Sequence, residues 1–192
     1  MDTYAPQLIN QEAYLAQERQ SSEKRDYENG QIISMDGASL AHVRIVRNLL
    51  TALWVQSQEM PDLEILSNDM RVHAPLQAFY FYPDLIGLKG EPQMLDQAFD
   101  NLTNPSFIIE VPSEGTETRD WVRKFEVYRS IPSFKEYLLV SQTEPKIEGF
   151  HKNESNDWII SEPIQGLENQ FQFQNFDLNL DMNKVYKQVT FV

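Results

Sequence analysis

Two carboxylates stand inside stretches that are otherwise apolar. Asp84 follows Phe79-Tyr80-Phe81-Tyr82-Pro83 and precedes Leu85-Ile86, while Glu110 lies between Phe107-Ile108-Ile109 and Val111. An unpaired carboxylate in such surroundings costs several kcal/mol or is neutralised through a shifted pKa, so each needs a reason to be there. A hard divalent cation is one reason: Mg²⁺ takes oxygen ligands and is commonly held by one or two carboxylates, with water and a substrate phosphate completing its shell. Solvation at a strand end, or pairing with an arginine, is the plainer account of either residue taken alone. Lys124 changes the balance. It lies three residues after Trp121 in a stretch whose apolar side carries Trp121, Phe125 and Tyr128, and ~100° per residue sets it about 60° round the axis from Trp121. An ammonium there can reach a sheet edge, or it can snorkel along a solvated face. With Asp84 and Glu110 on Mg²⁺ (or Mn²⁺), Lys124 would lower the pKa of an attacking water and offset charge building on a phosphate. That is phosphodiesterase chemistry.

The elements that must position these residues read as α+β. Residues 10–20 suit a short helix, and Tyr27-Glu28-Asn29-Gly30 reads as a turn into a strand over 31–35 that Asp36-Gly37 breaks. Ser39 can cap a helix in which Val43, Val46, Leu50, Leu53 and Trp54 form a core stripe. Residues 63–73 and 79–88 read as two strands, with a bend or a free edge at Pro83. The near-continuous apolar run 107–111 predicts a strand covered on both faces, 116–130 a helix stopping before Pro132, and 136–140 a second buried strand. Strand, helix, strand implies a crossover with parallel pairing. Beyond Gln142, residues 146–151 and 158–161 predict antiparallel hairpins, Phe171 and Phe173 alternate as in a half-buried strand, and a short apolar segment surrounds Val185 and Tyr186. The fold expected is a mixed central sheet flanked by helices with C-terminal antiparallel hairpins. No repeat or linker interrupts it, so one domain over 1–192 is expected.

Composition removes several alternatives. Eleven Phe, eight Tyr, three Trp and 41% hydrophobic residues exclude a disordered chain. The absence of cysteine excludes a disulfide scaffold, a thiol nucleophile and thiolate zinc sites, and fits a reducing cytoplasm. No run approaches the length of a membrane span, and residues 1–20 do not read as an export signal. The net charge of −13 opposes non-specific attraction to a phosphate backbone. The charge is uneven, however: residues 144–181 hold eight acids and two bases, whereas Arg119, Arg123, Lys124 and Arg129 gather in one predicted helix. His42, His73 and His151 lie in separate elements without ligand spacing and read as structural or surface residues. Neither a phosphate-binding glycine loop nor a serine-nucleophile elbow is present.

Glu110-Val111-x-Ser113-x-x-Thr116-x-x-x-Asp120-x-x-x-Lys124-x-x-x-Tyr128 is an ungapped pattern that resembles the Uma-two restriction-endonuclease family, a branch of the PD-(D/E)XK nuclease superfamily. Asp26-Tyr27-Glu28-Asn29-Gly30, Gly37-Ala38-Ser39 with His42, Ser67-Asn68-Asp69-Met70-Arg71-Val72, Tyr82-Pro83-Asp84 and Ile131-Pro132-Ser133 extend the likeness over most of the chain. The resemblance implies a restriction-endonuclease-like fold and Mg²⁺-dependent hydrolysis of DNA, with Asp84 and Glu110 as metal ligands. The superfamily usually carries its lysine two residues after the glutamate, where this chain has Pro112; the resemblance implies that Lys124 takes its place from the following helix. Gln31 stands where the family commonly has Glu, a weaker ligand that leaves a degenerate site open. Glu28, three residues earlier, is a candidate to substitute for it, and Asp120, His42 and Ser113 are further candidate supporting residues. A homodimer would offer two sites to two DNA strands. The competing readings are an inactive nuclease fold that binds nucleic acid or protein, and a small-molecule binding domain.

Overall fold

The computed structural model describes residues 8–35, 37–74, 78–113 and 119–191, with the side chains of residues 119 and 120 outside the description. Asn10 caps the first helix, α1 (Gln11–Glu18), by accepting a 2.8 Å hydrogen bond from the Ala13 amide. Strands β1 (Arg25–Glu28) and β2 (Gln31–Ser34) form a hairpin closed by Asn29-Gly30. Their φ values of 47° and 96° are those of a two-residue hairpin loop that Asn-Gly accommodates. Tyr27 and Glu28, expected in the turn, therefore belong to a strand. Ser39 caps α2 (Leu40–Ser57) as expected, accepting from the His42 amide at 3.0 Å. The buried stripe of α2 is Ile45, Leu49 and Leu53; Val43 and Trp54, expected in the core, are 52% and 54% exposed.

The two strands expected over 63–73 and 79–88 are four. β3 (Leu63–Ser67) and β4 (Arg71–Ala74) are separated by a turn, and β5 (Phe79–Phe81) and β6 (Leu85–Lys89) by Tyr82-Pro83-Asp84. β3 pairs with β6 and β4 with β5, so each arm crosses from one sheet to another. Pro83 has no N–H to donate, and the ladder stops there. It marks a corner rather than a free edge: β5 and β6 both have neighbours on either side.

β7 (Asn101–Leu102) completes a five-stranded sheet of order β2-β1-β5-β4-β7. β8 (Phe107–Glu110) runs antiparallel to β6. The expected helix over 116–130 lies partly outside the described residues; from Arg119 to Lys124 it is π-helical and then continues as α3 (Phe125–Tyr128). The chain returns as β9 (Glu136–Val140), parallel to β8, which is the crossover the sequence predicts. β10 (Lys146–Lys152), β11 (Trp158–Ile160) and β12 (Ile164–Gln165) extend the second sheet to seven strands. β13 (Gln170–Gln172) and β14 (Asn179–Asp181) pair separately, and α4 (Met182–Val185) packs on α2.

The seven-stranded sheet is covered on both sides. Alternate residues of β6, β8 and β9 divide between two cores: Leu85, Phe107, Ile109 and Leu138 join α2, β13, β14 and α4, while Ile86, Ile108, Tyr137 and Leu139 join Phe125 and Tyr128. Tyr14, Leu15, Tyr27 and Tyr80 form a third, smaller cluster under α1. Among the described residues no helix is long and apolar enough to cross a membrane.

Two positions test this packing. A Cβ at Gly87 would overlap the Phe107 ring, which is fully buried between β6 and the rings of Phe173 and Phe176. Gly87→Ala is expected to destabilise the protein by about 1–3 kcal/mol in urea titrations. Glu136, fully buried, accepts from the Gln174 and Asn175 amides and anchors the C-terminal hairpin to β9. Burial pushes its pKa up to about 7 against the pull of these donors, from an ordinary 4.5. The folded state thus keeps a proton that the unfolded chain loses, and stability falls as pH rises from about 4.5 to about 7. Glu136→Gln should flatten that slope in thermal melts across the window; an unchanged slope would assign it to other groups.

Candidate active site

Asp84 and Glu110 come together through register. Leu85 faces Ile109 across the antiparallel β6/β8 ladder, so one step further Asp84 faces Glu110. The Val111 amide, beyond the end of β8, donates to Asp84 Oδ2 at 2.7 Å. The corner at Pro83 is what turns the Asp84 side chain to this strand end instead of leaving it in a ladder.

Lys124 reaches the same strand end from the helix. Its Nζ lies 2.9 Å from Glu110 Oε1, and the two residues are 5% and 3% exposed. The Tyr128 hydroxyl donates to the same oxygen at 3.4 Å, and Phe81 lies under the ammonium at 5.8 Å. Lys124 is therefore a buried partner of Glu110, not a solvated side chain at the rim.

His42 closes the arrangement from the other side of the sheet. In the first turn of α2, set by the Ser39 cap, its Nδ1 pairs with the Val111 carbonyl at 3.0 Å and its Nε2 lies 3.2 Å from Asp84 Oδ1. Burial opposes protonation of His42, but the hydrogen bond and charge of Asp84, with the Val111 carbonyl, raise its pKa above the ordinary value. Sequence reasoning placed His42 among structural or surface residues, with a lesser role at the cleft by resemblance. The contact with Asp84 was missed, although an N-capped first turn carrying a histidine was the available signal.

Glu110 is the last residue of β8, at the carboxyl end of the parallel β8/β9 pair. Gln142, just past β9, donates from Nε2 to the Val111 and Pro112 carbonyls at 3.1 and 2.9 Å, and its Oε1 accepts from Ser39 Oγ at 2.6 Å. The amide ties β8, β9 and α2 together. A cleft of about 650 Å³ opens beside it, with Ser39, Ser113, Trp121 and Leu139 among its walls.

The supporting residues divide. Glu28 lies 3.6 Å from Arg123 Nε, which links β1 to the π-helical segment one residue before Lys124. Gln31 is exposed on the outer strand β2, and among the described residues its side chain has no hydrogen bond to Asp84, Glu110 or Lys124. The side chain of Asp120 lies outside the described residues, as does Thr116. Two histidines are structural, as expected: His73 is buried, bonds the Phe79 carbonyl at 3.0 Å and stacks on Tyr80, and His151 bonds Ser161 at 3.0 Å.

A sequence profile described as "Uma2: Putative restriction endonuclease" matches residues 11–182. The chain belongs to the Uma2 family. Two Synechocystis sp. proteins are also similar to the chain: "Uncharacterized protein sll1609" is 34% identical over 167 residues, spanning 86% of this chain and 94% of that one. "Uncharacterized protein slr1290" is 32% identical over 152 residues, spanning 79% and 78%. Among solved structures, a "putative nuclease belonging to DUF820 from Anabaena variabilis" superposes with a TM-score of 0.70 over 95% of this chain and 99% of that one. At 12% identity that likeness is one of fold. The Uma2 chain thus has the restriction-endonuclease-like α+β fold that its sequence implies.

The donor chemistry of the Uma2 site suits a hard cation. Asp84 and Glu110 bring carboxylate oxygens to facing positions, while the Val111 and Pro112 carbonyls at the same strand end are taken by His42 and Gln142. Among the described residues no group of three or more His, Cys, Asp or Glu side chains forms a metal cluster. Two carboxylates with remaining positions left to water and phosphate is the pattern Mg²⁺ favours. The buried ion pair makes a thermodynamic prediction independent of any ligand. Lys124→Met takes the ammonium away from a buried carboxylate and should cost about 3–5 kcal/mol; Lys124→Met with Glu110→Gln should recover much of that loss. Equal losses in the single and double variants, measured by chemical denaturation, would mean that the pair is not what holds the helix to β8.

Proposed function

We propose that this Uma2 protein is a metal-dependent endonuclease that hydrolyses DNA phosphodiester bonds, with Asp84 and Glu110 holding Mg²⁺ (or Mn²⁺) and Lys124 acting at the scissile phosphate. The observation that carries the reading is the buried Lys124–Glu110 pair at 2.9 Å beside the facing carboxylate of Asp84. The family description and the nuclease named among the solved structures support the reaction class.

A bound divalent ion would supply Lewis-acid charge against the phosphate. The chain's own residues do the rest. Glu110 fixes the Lys124 ammonium, and Tyr128 steadies the same carboxylate oxygen. Lys124 places positive charge where negative charge grows on the phosphate oxygens as water attacks. The Val111 amide and His42 hold both oxygens of Asp84, fixing its orientation before any substrate arrives. Low exposure strengthens each of these electrostatic contacts.

The second reading is an inactive nuclease fold that binds a partner, and Gln31 favours it. The neutral amide is exposed on β2, where the family commonly carries a carboxylate. Nicking of supercoiled plasmid and cutting of labelled oligonucleotides in Mg²⁺ and Mn²⁺ separate the two. Wild type should cut. Asp84→Ala should lose both cutting and metal affinity by calorimetry, whereas Lys124→Met should keep metal affinity and lose roughly 10²-fold or more in rate. Gln31→Glu should leave the rate unchanged or raise it. Failure of wild type and Gln31→Glu alike, in both metals, sinks the nuclease reading in favour of the binding module.

A further inference from the structure

The geometry points to a nucleobase pocket beside the catalytic residues, and so to a substrate whose base next to the scissile phosphate is unpaired: a single strand or a frayed end rather than a closed duplex. The inference rests on the phosphodiesterase reading of the same site, which it deepens by naming the form of the substrate.

The pocket is the cleft of about 650 Å³ at the carboxyl ends of β8 and β9. Ligands of open sheets with parallel strands gather at that end. Pro112 and Ser113 on its wall follow Glu110 by two and three residues, and Leu139 is the register partner of Glu110. Trp121, which also lines the cleft, precedes Lys124 by three residues. A phosphate at Lys124 and Glu110 would therefore have its neighbouring base at the mouth of this cleft.

The lining selects a base over a second phosphate. Among the described residues that form it, Lys146 is the one cation, and it is already engaged by Glu148 at 3.0 Å and Glu144 at 3.9 Å. The acidic side chains outnumber it, so the cleft repels phosphate and admits a neutral heterocycle. Trp121, half-buried and backed by the Phe150 ring at 5.0 Å, offers an indole held in place for stacking. Base–aromatic stacking tolerates any sequence because every base has a π-face. Ser39, Ser141 and Thr143 also line the cleft, with hydroxyls that can exchange hydrogen bonds with base edges.

The size of the concavity adds a second constraint. A volume of about 650 Å³ suits one small ligand and not a duplex, whose bases enter such a pocket only after leaving their stack. An already unpaired base avoids that cost. The net charge of −13 acts in the same direction, since lying along a duplex demands many phosphate contacts and one stacked base demands few.

The test measures binding and cutting separately. Fluorescein-labelled 12-mers, supplied as a single strand, a blunt duplex and a duplex with an unpaired 3′ end, are titrated in Ca²⁺ and followed by anisotropy. The single strand and the frayed duplex should bind at least tenfold more tightly than the blunt duplex. Trp121→Ala should remove most of that difference. Trp121→Phe, which keeps a ring and guards against a folding defect, should retain it. Equal affinity for all three substrates, or discrimination that survives Trp121→Ala, overturns the inference. Cutting assays in Mg²⁺ on the same set then tell the two failures apart. Cutting without strand preference overturns the pocket and keeps the nuclease, whereas Trp121-dependent binding without cutting keeps the pocket and removes the catalysis.

Discussion

A buried ion pair organises this molecule. Lys124 and Glu110 meet at 2.9 Å with almost no exposure, one from the helix and one from the end of β8. Removing both charges from water costs several kcal/mol per ion, and apolar residues of similar volume would hold a helix to a sheet at least as well. Stability alone is therefore a poor reason for the pair. Its presence explains the surroundings instead: Tyr128 shares the carboxylate oxygen, Phe81 lies beneath the ammonium, and the π-helical turn brings Lys124 inward at the point where an α-helix would begin to carry it round.

The same strand end depends on a corner made far away in sequence. β3–β4 and β5–β6 are two arms of one long antiparallel pair, and both change sheets at the same level. Tyr82-Pro83-Asp84 is the bend in the second arm. A proline that cannot donate to a ladder and an aspartate that takes the next strand's amide do complementary jobs: one interrupts the pairing and the other repairs it, through Val111 N to Asp84 Oδ2 at 2.7 Å. The carboxylate is thus fixed by the fold before any ligand is considered.

Sequence carried the fold class, and the meeting of Asp84, Glu110 and Lys124 at one strand end, further than it carried the strand-by-strand architecture. Asp84 and Glu110 stood out because a charge inside an apolar run needs a partner, and β8, the crossover and β9 followed from apolar runs separated by a helix. The division of residues 63–88 into two sheets left only the bend at Pro83 as a mark, since alternation is the same on either side of a corner. The face of α2 was misread for a related reason. Apolar residues surround much of that helix, from Leu40 and Val43 to Trp54 and Val55, and the choice of Ile45, Leu49 and Leu53 as its buried side is made by α4 and β14 more than a hundred residues away. His42 was undervalued because its partner, Asp84, approaches only through the sheet corner.

The acidity of the chain, which first argued against a nucleic-acid enzyme, is compatible with the site once charge is located. A net charge of −13 sets the far field, which governs long-range attraction and non-specific binding. The proposed chemistry at one phosphate would depend on the near field, where Lys124 sits largely shielded from solvent over the Phe81 ring. The two separate by distance, because salt screens exposed charges beyond roughly 8–10 Å and screens buried ones much less. A basic groove would lend affinity for any duplex. On the proposed reading, an acidic protein with a cation buried at Lys124 would instead gain its hold on a substrate from short-range contacts, and so from the shape of what fits beside Glu110.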